Sequence, residues 1–353
     1  MRSHIAFFIV ALVFALPLHS QKDTLSIIGV GDIMMGTDYP SRIYLPPGDN
    51  CRPLMEDVYG ILQDSDITFG NLEGTFAGDS GKPKECRDTT MCFVFRMPVH
   101  YVNCLVDAGF DMLSIANNHS NDFGPEGRKE TERILKDNDF AYAGSLSSPS
   151  AILAKDSIRY GLIAFAPNKG CYSIKNTDQV VSMVRRLRKD CDILIVSVHG
   201  GAEGKDHQHM TRGSEIYLGY DRGNIYEFAH NVVDAGADIV FGHGPHVTRA
   251  AEVYKGRFII YSLGNFCTYR RFNLRGPNGI APIIKLQVAR DGRFLGGQVI
   301  PVYQVAPGGV RPDPQMRAIH KLRELTRADF PETALLIDKD GRMSIQSDTL
   351  QVK

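Results

Sequence analysis

Five apolar runs of this chain stop at residue types that bind metal ions or carry protons, and this pattern restricts the fold more than any other feature. SIIGVGD (26–32) ends at Asp32, DITFGNLE (66–73) at Glu73, and MLSIANNH (112–119) at His119. DILIVSVHGG (192–201) carries His199, and DIVFGHGPH (238–246) carries His243 and His246. A short apolar run bounded by turn formers reads as a buried strand. In an open α/β sheet, the loops at the carboxyl ends of neighbouring strands converge on one crevice. Five such ends therefore predict one shared site, with SIANNHSNDFG (114–124) at its centre and Pro125 opening the next helix.

The first twenty residues carry an address. Arg2 precedes an apolar stretch from Ile5 to Leu18, closed by Ser20. That is the layout of a secretory signal peptide over residues 1–20, and the stretch is shorter than the about 20 apolar residues of a membrane span. The imperfect cleavage signal leaves an uncleaved N-terminal tether as the alternative. The expected location is outside the cytoplasm: periplasmic, cell-surface or extracellular. Forty basic residues balance forty acidic ones, so no global field recruits nucleic acid, and none is expected as a partner.

Seven cysteines in an exported chain permit disulfides and leave at least one thiol over. Cys104, on a predicted helix, and Cys191, at a strand entrance, read as buried hydrophobes. Cys51, Cys86, Cys92 and Cys171 fall in loop-like sequence and read as bridge formers, with Cys86 to Cys92 closing a short loop.

Between the motifs the chain alternates strand and helix patterns. Apolar spacing predicts helices over 57–63, 99–110, 125–138, 180–187 and 225–233. Residues 77–97, rich in turn formers, predict a flap over the site. Residues 204–223 read as loop, with His207 and His209 exposed. VDAGFD (106–111) and VDAGAD (233–238) use one helix-to-strand device twice. The later part changes character: Lys255-Gly256 and Asp291-Gly292 mark hairpins, so those strands read as antiparallel. A layered α/β domain with a mixed sheet follows. It spans 25–305, and 306–353 adds a helix near 313–327 and a weak hairpin at Asp340-Gly341.

Asp, Asn, Glu and His at strand ends form a donor set of borderline hardness, suited to manganese, iron or zinc. Two such ions about 3.5–4 Å apart would lower the pKa of a bound water and clamp a substrate oxyanion. Asp122 is placed to orient the His119 ring. Glu203 reads as a general base, a further ligand or a plain loop carboxylate. Arg249, Arg270 and Arg271 flank the last motifs and suit carboxylates or phosphates of an anionic polymer. Asn265 stands with them and, with Phe266, holds the loop beside the site.

The set GDxMxG (31–36), GNLEG (70–74), ANNHxxDxG (116–124), HGGxE (199–203), GHGPHV (242–247) and YSLGNF (261–266) resembles the CapA family over about residues 25–305. These bacterial proteins are associated with poly-γ-glutamate capsule synthesis and are similar in fold to calcineurin-like metallophosphatases. The resemblance implies a layered sandwich with mixed central β-sheets flanked by helices. It also implies one or two divalent metal ions, held among Asp32, Asn71, Glu73, Asn118, His199, His243 and His246, with His119 beside the leaving group. Met34 stands where the superfamily has a histidine, and Asn71 where it has a bridging aspartate. His243 and His246 match its closing pair with one extra residue between them.

Three functions fit these residues. The first is a metal-dependent hydrolase or transferase acting on an envelope polymer such as poly-γ-glutamate, beside membrane-bound synthesis machinery. The second is a phosphoesterase. The third is a non-catalytic component that holds an acidic polymer or its precursor.

Overall fold

The computed structural model describes residues 23–86 and 92–346. The expected signal peptide, 1–20, lies outside the described residues. Two mixed sheets face one another, and each is covered on its outer side by helices. In the first sheet, strands Thr24–Met34, Ile67–Leu72, Met112–Ser114 and Ala141–Ala143 run parallel in that order. Strand Ile280–Ala289 pairs antiparallel with the other edge of Thr24–Met34 and continues to Phe294–Tyr303. In the second sheet, Ile158–Phe165, Ile193–His199, Ile239–His243 and Arg257–Ile260 are parallel neighbours. The outer strands Ser150–Lys155 and Ala251–Tyr254 pair antiparallel with this set.

Period-two alternation sorts the side chains. Ile27 points between the sheets, into a core with Phe69, Tyr160, Ile195 and Phe241, whereas Ile28 and Val30 face the helical side. Phe69 and Phe241 stack across the interface with ring centroids 5.2 Å apart. Helices Val102–Ala108 and Gly124–Asp137 cover the first sheet; Thr177–Arg188 and Ile225–Asp234 cover the second. Gly31 is required by close approach: a Cβ there would meet the Gly264 carbonyl oxygen at 1.9 Å. Both expected helix-to-strand junctions form, the first closed by left-handed Gly109 at φ 81°.

Several boundaries move. The opening strand extends through Asp32 to Met34 because residues 33–34 pair with Cys267 and Thr268. The helix expected over 57–63 shrinks to Tyr59–Leu62, and the C-terminal helix is Arg317–Asp329. The segment beyond 305 is built into the first sheet: Arg342–Ile345 pairs with Phe294–Tyr303 and with Leu335–Ile337.

The cysteine assignment needs two corrections. Cys104 is not a free core residue: it bonds Cys51, tying Val102–Ala108 to the loop after the first strand. Cys171, expected in a bridge, is instead a buried thiol, as are Cys191 and Cys267. Cys86 to Cys92 forms as expected. Loop closure between Cys51 and Cys104, at a sequence separation of 53, restricts the unfolded chain. Replacing both by serine is therefore expected to lower stability by roughly 2–4 kcal/mol, read as a shift of the urea midpoint at constant slope.

Candidate metal centre and cleft

Strand register builds the site. Asp32 lies opposite Asn71 on one side and Asn265 on the other, and His243 lies opposite His199 in the second sheet. The parallel strands of both sheets thus end at one place, as the five motifs predict. Asp32 is fully buried, and its charge is met from several directions. Asn71 Nδ2 donates to Asp32 Oδ1 at 2.8 Å. His246 Nδ1 lies 3.0 Å from Asp32 Oδ2 and 3.1 Å from Asn265 Oδ1. His243 Nδ1 approaches Asp32 Oδ1 to 3.3 Å, too poorly aligned for a hydrogen bond. The ring of His246 reaches this position because its backbone is left-handed, at φ 57°. Non-glycine residues rarely adopt that region, and they do so chiefly at functional sites.

Asp32, Glu73 and His246 offer ligand atoms all within 4.8 Å of one another. Around them, both oxygens of Glu73, both ring nitrogens of His199 and His243, and Oδ1 of Asn118 are buried with no hydrogen-bond partner among the described residues. Buried polar atoms left unsatisfied cost about 1–3 kcal/mol each, so such a concentration marks a ligand site. Carboxylate, imidazole and amide oxygen fit a divalent ion of borderline hardness.

Burial and neighbouring charges shift the titrating groups of this cluster in opposite directions. Burial works against the Asp32 carboxylate, yet the imidazoles of His243 and His246 hold it well below the usual range. Burial, with the Asp32 charge beside it, pushes Glu73 well above its ordinary value. Burial also opposes protonation of His246, but Glu73 and Asp32 carry its pKa to about 10. His199 is driven well below its ordinary value by burial and then by the Arg222 guanidinium. The His246 ring thus lies between the two acidic groups, 3.0 Å from Asp32 and 3.6 Å from Glu73.

Not every expected ligand points inward. Both ends of the Asn71 amide are engaged, the nitrogen on Asp32 and the oxygen accepting from Asn117 Nδ2 at 3.1 Å. Asn71 therefore orients Asp32. Asn117, not among the expected site residues, also donates to the Leu72 carbonyl at 2.8 Å and accepts from the His119 amide. Met34 is buried in the apolar core.

His119 sits beside this cluster. Its Nδ1 lies 2.7 Å from Asp122 Oδ2, and the ring packs 4.2 Å from that of Phe95. Lys84 Nζ and the Phe95 amide hold the two Asp122 oxygens at 2.6 and 2.7 Å. Burial lowers the His119 pKa, and Asp122 opposes that shift. The neutral ring donates from Nδ1 to Asp122 and keeps Nε2 as an acceptor.

A cleft of about 430 Å³ opens above, lined by Asn118, His119, Glu203, His246 and Asn265. Lys84, Phe93 and Phe95 of the expected flap form one wall. The opposite wall was missed. Residues 204–223 contain a hairpin, Ile216–Tyr217 with Tyr220–Asp221, that presents Tyr217, Leu218, Tyr220 and Arg222. The signal was present: Leu218-Gly219 is a two-residue turn flanked by strand formers, closed with both residues at positive φ.

The three arginines separate. Arg271 lines the cleft, with its guanidinium over the rings of Phe93 and Tyr44 at 4.5 and 4.8 Å. Arg270 is exposed, lies over Tyr269 and is not part of the cleft wall. Arg249 corrects the expectation outright: it is fully buried and bound to both oxygens of Glu215 at 2.8 and 2.7 Å. Asn265 is buried too, donating to the His246 and Asn278 carbonyls, so it fixes His246. His209 is exposed as expected and pairs with Asp329, whereas His207 is half-buried against Tyr217.

Fold and site together describe a two-sheet α/β protein with a metal-type centre at converging strand ends. The sequence profile described as "Bacterial capsule synthesis protein PGA_cap" matches residues 26–270, and the chain belongs to that family. The chain is 28% identical to the capsule biosynthesis protein CapA of Bacillus anthracis, over 93% of this chain and 79% of the relative. It is 29% identical to the PGA biosynthesis protein CapA of Bacillus subtilis, over 87% and 79%. Similar solved structures include a 5'-nucleotidase precursor from Thermus thermophilus, with TM-score 0.40, 11% identity and 86% of this chain matched to 59% of that one. A purple acid phosphatase from yellow lupin has TM-score 0.38, 12% identity and coverage of 83% and 54%. This chain therefore spans little more than half of either structure.

Removing one partner of a buried ion pair leaves an uncompensated charge. Arg249→Met is expected to cost about 3–5 kcal/mol in denaturant unfolding, and adding Glu215→Gln to recover a large part of the loss. Additive losses would show that the pair is not a coupled unit.

Proposed function

We propose that this chain is an exported component of capsule or envelope-polymer production, of the poly-γ-glutamate type, acting through a metal-dependent hydrolase-like cleft. The observation that carries the reading is the set of unsatisfied buried donors around Asp32: Glu73, His199, His243 and Asn118, with His246 beside them. These residues would hold one or two divalent ions, of which manganese, iron and zinc suit the donors. A bound ion supplies Lewis acidity toward a carbonyl or phosphoryl oxygen.

The chain's own residues do the rest. His119, oriented by Asp122, accepts a proton at Nε2 and returns it to the leaving group. Phe95 shields its ring from water. Arg271, braced by Phe93 and Tyr44, meets an anionic group of the substrate. The expected partners are an anionic extracellular polymer or its precursor and the membrane-bound machinery that makes it. Among the described residues, no helix is long and apolar enough to cross a membrane.

The deciding experiment is elemental analysis of the full chain, purified without chelator, beside the His199→Ala/His243→Ala variant. Stoichiometric manganese, iron or zinc that disappears in the variant is the expected result. It would justify comparing amide, ester and phosphate substrates, the last of which tests the phosphoesterase alternative. A protein that takes up no metal even after supplementation sinks the hydrolase reading and leaves a polymer-holding cleft.

Coordination also requires protons to leave. His246, with its pKa carried to about 10, holds a proton, and Glu73 is pushed up toward its protonated form, so raising the pH favours the ligand forms. The apparent Kd for Mn(II) is therefore expected to fall between about pH 6 and pH 8, by up to about tenfold per pH unit for each proton released. Calorimetric titration in buffers of different ionisation enthalpy reads that proton count, and a pH-independent Kd would contradict these ligands.

A further inference from the structure

Arg222 and Arg249 lie on either side of the same loop, yet their donors are used differently. Arg249 is saturated: besides Glu215 it donates to the His207 and Ala202 carbonyls at 2.8 and 3.0 Å. Arg222 is nearly as buried, only 8% exposed, and lines the cleft. Its Nε donates to the Gly201 carbonyl at 3.1 Å, which fixes the base of the guanidinium. Its outer nitrogen Nη2 has no aligned hydrogen bond among the described residues and faces only Glu203 Oε1, at 2.9 Å.

The Arg222 backbone is clamped. Its amide donates to the Glu215 carbonyl at 2.8 Å, and its carbonyl accepts from Gly201 at 3.0 Å. A Cβ on Gly200 would lie 2.8 Å from that carbonyl oxygen, so the loop after His199 closes tightly over it. Glu203 is the more accessible partner, with a side chain 21% exposed against 10% for Arg222. A clamped, buried cation paired with a more solvent-accessible carboxylate is arranged for exchange of that carboxylate. A buried guanidinium needs an anionic partner, and its planar fork matches a carboxylate or phosphate.

We propose that Arg222 is the oxyanion receptor of the cleft and that Glu203 is its resting counter-ion, displaced when a substrate carboxylate or phosphoryl group binds beside the metal-type centre. The assignment deepens the reading of the cleft as a hydrolase-like site and rests on it for the meaning of that group. It makes Arg222 a specificity-determining residue and gives Glu203 a gating role in place of proton transfer. Because Arg222 is bonded to Gly201, in the loop after His199, and shares the cleft lining with His246 and Asn118, the captured group lies next to the ligand cluster.

The test measures Kd for two probes, glutarate and inorganic phosphate, with full-length wild type and the Arg222→Ala, Arg222→Lys and Glu203→Gln variants. Metal content and melting temperature are recorded on the same samples. The wild type is expected to bind at least one probe, and Arg222→Ala to weaken it by roughly tenfold or more. Arg222→Lys should restore only part of that loss, because a point charge lacks the fork. Glu203→Gln should tighten binding several-fold, since its neutral amide competes less well for the guanidinium. The probe that follows this order identifies the group as carboxylate or phosphoryl. Failure of the wild type to bind either probe overturns the proposal. So does unchanged binding in Arg222→Ala, or weakening by Glu203→Gln equal to that of Arg222→Ala, which would make the pair a structural tie. Should Arg222→Ala fail to fold, the Lys and Gln variants still decide. Binding that follows the expected order in metal-free protein would sink the metal reading alone; metal retained with no dependence on Arg222 would sink this one alone.

Discussion

The structure depends on a carboxylate placed where apolar packing should exclude one. Asp32 is fully buried at the end of a central strand, between two sheets whose facing side is otherwise filled by Ile, Phe and Val. An isolated ionised group there would cost many kcal/mol or lose its charge. It stays ionised because two strand ends bring Asn71, His243 and His246 to it, and because Asn117 and Asn265 hold two of those in place. The surrounding fold is the means of that delivery. Parallel register aligns the strand ends, Gly31 lets the Gly264 loop touch the backbone, and a left-handed residue turns the His246 ring back into the cleft.

What could be read from sequence followed from one-dimensional regularities. Apolar runs alternating with helical spacing disclose a layered α/β architecture, and polar residues at the strand ends disclose the crevice. The hydrophobic pattern also orders the helices that cover each sheet. Pairwise partners were not legible in the same way. Cys104 carries a helical residue's pattern, and only the fold shows that Cys51, far away in sequence, meets it. The motif singles out Asn118, whose oxygen is left free, but only the fold shows that its neighbour Asn117 orients Asn71. Arg249 looks like a surface anion binder until Glu215 is placed against it. The left-handed backbone of His246, at φ 57°, is likewise visible only in the fold.

The division among the cleft residues carries a further consequence. One wall is a disulfide-closed flap bearing Lys84, Phe93 and Phe95; the other is a hairpin tied through Arg222 to the loop after His199. The flap reaches the His119–Asp122 pair, because Lys84 and the Phe95 amide grip Asp122. The hairpin reaches the candidate ligand cluster, because Arg222 touches the His199 loop. Each wall is thus bonded to a different half of the site, and Asn118 and His246 line the cleft with both. At the hairpin tip Leu218 and Tyr220 are exposed, at 63% and 74%, so this wall offers apolar surface beside the buried charge of Arg222.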